Sequence, residues 1–122
     1  MQMTKTVPLS LVGALSKTPY VGDFEFRKSL SISQILRVSV LADRLKGHST
    51  TIDEEGSLIA QMVAELSQRV ISAPEWWKNS NNGEDLQDLN VLFEVFSAAR
   101  KVEQEYREEM EAKVKKAEES TK

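Results

Sequence analysis

Not one cysteine occurs among the 122 residues. Disulfides, thiolate nucleophiles and thiolate metal sites are thereby excluded together, and a reducing cytoplasm is compatible. Histidine is nearly absent as well. The single one, His48, falls in a polar stretch between two helical patterns, where a general base or metal ligand would lack a positioned partner. No Gly-rich phosphate loop and no metal-ligand spacing is present. No apolar run approaches the ~20 residues that span a bilayer. The apolar segment Val7 to Leu15 is broken by Pro8 and Ser10 and preceded only by Lys5, so a secretory leader is not expected. Lys and Arg form no basic block, and the formal net charge is -3. Contact with a nucleic-acid backbone, which depends on displacing counterions, is disfavoured. A helix-turn-helix is disfavoured too, because Glu54, Glu55 and Glu65 outnumber Arg69 on the helix that would read the groove.

What remains is ordinary globular material, 40% apolar and 29% charged, with few helix breakers. Residues 1–28 read as an extended segment. Tyr20, Gly22, Phe24 and Phe26 share one parity, which is the period of a half-buried strand. Val7, Leu9 and Leu11 also alternate, with Pro8 marking an edge. Gly13 and Thr18-Pro19 suit a turn between them, giving a small hairpin. Leu9, Val12 and Leu15 suit one helical turn equally well.

Three helices follow. Ser31 or Ser33 caps the first, whose apolar stripe comprises Ile32, Ile35, Leu36, Val38, Val40, Leu41, Ala42 and Leu45 and which stops at Gly47. Thr51 or Asp53 caps the second, with Leu58, Ile59, Met62, Val63, Leu66, Val70 and Ile71 on one face and an end near Ser72, before Pro74. After Trp76-Trp77 and an Asn-rich loop, the third starts near Glu84 or Asp85. Its stripe runs Leu86, Leu89, Leu92, Phe93, Val95, Phe96, Ala99, Val102. Phe93 and Phe96 sit at core spacing. From Lys101 the sequence turns strongly charged, with Glu103–Arg107, Glu109–Lys113 and Glu111–Lys115 pairs at a supportive spacing. A helix from Glu84 to Glu118 is ~50 Å long at ~1.5 Å per residue. A domain this size has a radius of gyration near 13 Å. The end must therefore project, fray or pack on something else. The expected fold is mainly α: a three-helix bundle-like body over 29–106, a small N-terminal β element over 1–28, and a charged helical extension over 107–122.

With no catalytic constellation, the candidate functional residues are partner anchors. Tryptophan combines a large apolar face with one N–H and is enriched where interfaces concentrate their energy. Neighbouring tryptophans do not easily share one pocket, so one of Trp76 and Trp77 should be structural and the other near the surface. Trp77→Ala should cost less stability than Leu66→Ala, since Leu66 lies on the inner face of the second helix. Tyr106 and Met110 are costly to leave in water. They suit a docking helix or a tether. Trp76, Trp77, Tyr106 and Met110 are the partner-binding candidates.

The layout resembles the tail assembly chaperones of long-tailed bacteriophages. The likeness lies in Phe24-Glu25-Phe26-Arg27 leading into Ser33-Gln34-Ile35-Leu36-Arg37, then in Glu55 to Leu66, Pro74-Glu75-Trp76-Trp77, and Leu89 to Tyr106 ending in a charged tail. It implies a cytoplasmic, non-catalytic helical protein of the infected cell that needs no cofactor and is absent from the finished virion. Such proteins coat the tape-measure protein and help tail-tube subunits assemble around it. Many also occur in a frameshifted longer form, and this chain would match the short one. Self-association is expected, because linked weak contacts gain avidity. A structural phage component, such as a head–tail connector or scaffold, is the alternative, followed by a small helical nucleic-acid-binding regulator.

Overall fold

The computed structural model describes residues 3–47 and 53–120. His48 and Thr51 lie outside them. Helix accounts for 59% of the described residues, and a three-stranded antiparallel sheet lies toward the N-terminus. The alternation read from residues 4–27 resolves as a hairpin. Strand β1 (Thr4–Val12) pairs with β2 (Pro19–Arg27), from Thr4 opposite Arg27 to Val12 opposite Pro19. The Gly13 N–H donates to the Thr18 carbonyl and the Lys28 N–H to the Met3 carbonyl. Those two bonds fix the parity: odd positions of β1 bond to β2, and even positions face the open edge. Pro8 is even, so its missing N–H removes a donor from the outer edge and none from the ladder. Val7, Leu9 and Leu11 pack inward, and Phe24 and Phe26 are fully buried.

Helix α1 (Ile32–Leu45) is capped by Ser31, whose hydroxyl accepts from the Gln34 N–H while the Gln34 side chain accepts from the Ser31 N–H. Helix α2 (Glu54–Arg69) begins at Asp53, whose carboxylate accepts from Gly56 N–H. It ends three residues earlier than its apolar spacing suggested. Val70–Ser72 form strand β3, which pairs with β2 through Phe26 opposite Val70 and Glu25 opposite Ser72. Two β-branched residues just ahead of Pro74 favour extended backbone, and pairing satisfies a β2 edge that would otherwise be open. Short helix α3 (Glu75–Asn79) carries both tryptophans.

Helix α4 (Leu89–Ser120) starts later than Glu84 or Asp85. Asn81, Asn82 and Gly83 all adopt positive φ (55°, 56° and 94°), and three successive left-handed residues cannot begin a right-handed helix. Its 32 residues span ~48 Å. Val91, Leu92, Val95, Ala99 and Val102 pack on the sheet and α2, together with Val63 and Leu66. Phe96 packs half-buried against that core. A second, smaller core joins α1 to α2 through Val38, Ala42 and Ala64. The sheet therefore shares the main core with α2 and α4, while α1 rests mainly on α2.

Asp88 fastens the hairpin tip to the start of α4. Its buried carboxylate accepts from the Ser16 hydroxyl (2.6 Å), the Ser16 and Leu15 N–H groups (2.9 Å each) and the Tyr20 hydroxyl (3.0 Å). Gly13 lies so close that an added Cβ would meet the carboxylate at 2.4 Å. The Ser16 hydroxyl, then the Ser16 N–H, with Tyr20 and Leu15 adding to them against the opposing effect of burial, hold its pKa at about 2, below the ordinary 3.8. A depressed folded pKa means stabilisation that is present above the unfolded value and lost as pH falls through the folded one. Asp88→Asn is therefore expected to lower the urea midpoint near neutral pH. The gap to wild type should close between about pH 4 and pH 2. A gap that persists unchanged to pH 2 would show that the carboxylate is not the fastening.

Candidate protein-binding surface

The sequence pointed to the tryptophans first, and the structure separates them. Trp77 is 1% exposed and cannot meet a partner, so it belongs to the core and is not one of the anchors. It lies edge-on to Phe24 at 5.5 Å, and its ring rests against Gly83, where a Cβ would approach to 2.6 Å. Only glycine, at φ +94°, satisfies both that contact and that backbone. Trp76 is half-buried, as expected of one member of the pair. Its indole N–H donates to the Val21 carbonyl (3.1 Å), and its ring stands edge-on to Tyr20 (4.9 Å) and Phe24 (5.5 Å). Trp76 thus pins α3 to the sheet and leaves only part of its ring to solvent.

Tyr106 and Met110 are half-buried on the later part of α4. Beyond Glu103 they are the last residues of that helix with appreciable cover, and residues 111–119 are all exposed. The extension therefore projects. Arg107–Glu103 (3.5 Å) and Lys113–Glu109 (3.4 Å) lie along it. The four sequence candidates do not converge on one site: the tryptophans belong to the sheet side, and Tyr106 and Met110 to the projecting helix.

The surface that sequence reasoning missed is on α1. Its spacing places eight apolar residues on one broad stripe, yet Ile32 is 80% exposed, Leu36 62% and Val40 71%. These three rim an open groove of about 650 Å³, together with Leu41, Arg37 and Arg44. The signal was present. At 3.6 residues per turn, Val38, Ala42 and Leu45 cluster on one side of the helix, and Ile32, Leu36 and Val40 lie roughly 150° away. A helix resting on one neighbour buries only one of two such faces. Here the face with Val38 and Ala42 meets Ala64 of α2.

Among the described residues one charged cluster is buried. Arg69 donates to Glu65 from Nε (3.1 Å) and Nη2 (3.0 Å), and from Nη2 to Glu103 (3.4 Å). Its Nη1 lies 3.3 Å from Glu103 in an ion-pair contact but is not aligned for a hydrogen bond. Arg100 and Arg107 close the rim at 3.4 and 3.5 Å. The cluster ties α2 to α4, and each carboxylate is engaged by a guanidinium. Among the described residues no group of three or more His, Cys, Asp or Glu could hold a metal ion. No described helix is long and apolar enough to cross a membrane.

Among known proteins, no family model, no curated protein and no solved structure matches this chain.

Proposed function

We propose that this protein is a non-catalytic chaperone of phage tail assembly that holds an apolar helical segment of the tape-measure protein in the α1 groove. The observation that carries this reading is the exposed row Ile32, Leu36 and Val40. Single apolar side chains in water are unremarkable, but a continuous row edged by charge is the form of a docking face. Its spacing of four presents the ridge that another helix packs against. An amphipathic client would lay its own apolar row there. Arg37 and Arg44 beside the row favour a client with acidic flanks and repel a basic one. The likeness of residues 20–106 to tail assembly chaperones supports the choice of client. In this reading the three long helices act as one bundle-like body. The protein works in the host cytoplasm, tail-tube subunits are its second partner, and it leaves before the virion is complete.

Co-expression tests it. The wild-type chain should keep the tape-measure protein soluble and co-purify with it. Leu36→Arg should weaken that complex by about 30-fold, the loss of one ~2 kcal/mol anchor, while the variant's own melt stays within ~0.5 kcal/mol of wild type. An aggregated tape-measure protein beside the wild-type chain would end this assignment. Undiminished protection by Leu36→Arg would move the site off α1.

A further inference from the structure

We propose that Asn82 is a site of spontaneous backbone modification, and that the bond between the Gly83 N–H and the Ser80 hydroxyl governs its rate. The chain has four asparagines, at 79, 81, 82 and 90, and only Asn82 is followed by glycine. An asparagine amide is open to attack by the backbone nitrogen of the next residue, and a glycine there has no Cβ to obstruct the approach. The other three are engaged or hindered. Asn90 accepts from the Ala14 N–H and donates to the Val12 carbonyl, and β-branched Val91 follows it. Asn81 donates to Glu84. The nitrogen after Asn79 is that of Ser80, which donates to the Trp77 carbonyl at the end of α3. Asn82 is exposed, and its side chain makes no hydrogen bond among the described residues.

The reaction balances with water as its only co-reactant. The Gly83 nitrogen loses its proton to solvent and bonds to Asn82 Cγ. The side-chain nitrogen leaves as ammonia, and the product is a cyclic imide. Water then adds to one of its two carbonyls. Opening at Cγ gives aspartate. Opening at the main-chain carbonyl leaves the chain running through Cγ, with an extra methylene in the backbone and a free carboxylate beside it.

The fold restrains the first step. Gly83 is buried, and its N–H donates to Ser80 Oγ (3.0 Å), which in turn donates to the Trp77 carbonyl (2.7 Å). A deprotonated nitrogen there would be a charge out of water, which burial disfavours. Attack therefore waits for the loop to open locally. The lengthened product cannot return to the same packing. Gly83 lies against the Trp77 ring, where even an added Cβ would come within 2.6 Å. A backbone longer by one methylene must lift away from that ring. The modification thus loosens the loop that encloses the largest fully buried side chain.

Incubation of the full chain at mildly alkaline pH, followed by mass mapping of its peptides, tests this whether or not α1 holds a client. Asn82 should be the first asparagine to convert. Conversion in the native chain should be at least about tenfold slower than in urea, the factor that ~1.4 kcal/mol of local opening supplies. Hydrogen exchange at the Gly83 amide should be slowed by the same factor. Ser80→Ala should convert faster than wild type under native conditions and at the wild-type rate in urea. The fraction with the extra methylene should unfold at lower urea and show red-shifted tryptophan emission. Asn82→Asp, with the charge but the normal backbone, should match wild type in both. First conversion at another asparagine, equal rates in native and unfolded chains, a Ser80→Ala chain that converts no faster, or a lengthened fraction as stable as wild type would each overturn the inference. Should Ser80→Ala fail to fold, the wild-type chain decides alone: Gly83 exchange and Asn82 conversion that are slowed by different factors refute it.

Discussion

Trp77→Ala is expected to destabilise the fold by ~3–5 kcal/mol, the largest loss from truncating any single side chain of the core. The indole is the largest fully buried side chain, enclosed by Phe24, Trp76 and Gly83. Its removal forfeits the transfer energy of a whole ring system and leaves a cavity that cannot easily collapse, because the neighbouring rings are fixed from the sheet and α3. Leu66, at 0% exposure, should cost ~2–5 kcal/mol on the same truncation. The order expected from sequence, with Trp77 the cheaper of the two, is thus reversed by burial. Trp76→Ala should be milder than both, since its ring is half in solvent already. Against a typical total of ~5–15 kcal/mol, the Trp77 variant should sit close to unfolding. Urea midpoints should rank Trp77→Ala lowest, then Leu66→Ala, then Trp76→Ala. A Trp76 variant less stable than the Trp77 variant would show that the aromatic packing described above is wrong.

Arg69→Met should cost ~3–5 kcal/mol, although it exchanges a charged residue for an apolar one of similar length. Glu65 and Glu103 are both buried against the guanidinium. Without it, two carboxylates remain out of water, with the solvent-facing Arg100 and Arg107 as the nearby cations and the Gln61 amide donating to Glu65. The penalty lies in the charges left behind more than in the pair removed. Glu65→Gln with Glu103→Gln in the Arg69→Met background should therefore recover most of the loss. A double-mutant cycle on urea melts reads the coupling directly. An Arg69→Met chain as stable as wild type would mean that water reaches this cluster freely.

The helices and the hairpin could be read because each rests on a local period, and the caps at Ser31 and Asp53 on residues within one turn. Strand β3 was hidden because Val70 and Ile71 continue the apolar spacing of α2, and only a free edge of β2 converts them to a strand. The start of α4 was hidden because Glu84 and Asp85 suit a helix N-terminus, while the positive φ values at Asn81 to Gly83 are invisible to a period count. The Arg69 cluster could not be seen at all. Glu103 is 34 positions away along the chain, and nothing in the intervening residues announces the meeting.

By itself the sequence determined that the chain is mostly helical, that its N-terminal residues alternate as strands, that thiol chemistry is excluded, and that the end of α4 must outrun the body. Tertiary structure alone decided which apolar faces meet protein and which meet water. It enclosed Trp77, engaged Asp88 at a hairpin tip some seventy residues away, and left Ile32, Leu36 and Val40 uncovered. The physical reason is that periodicity is a property of neighbours along the chain, whereas burial depends on which other element arrives at a face. On α1 one face received α2, and the other stays open among the described residues.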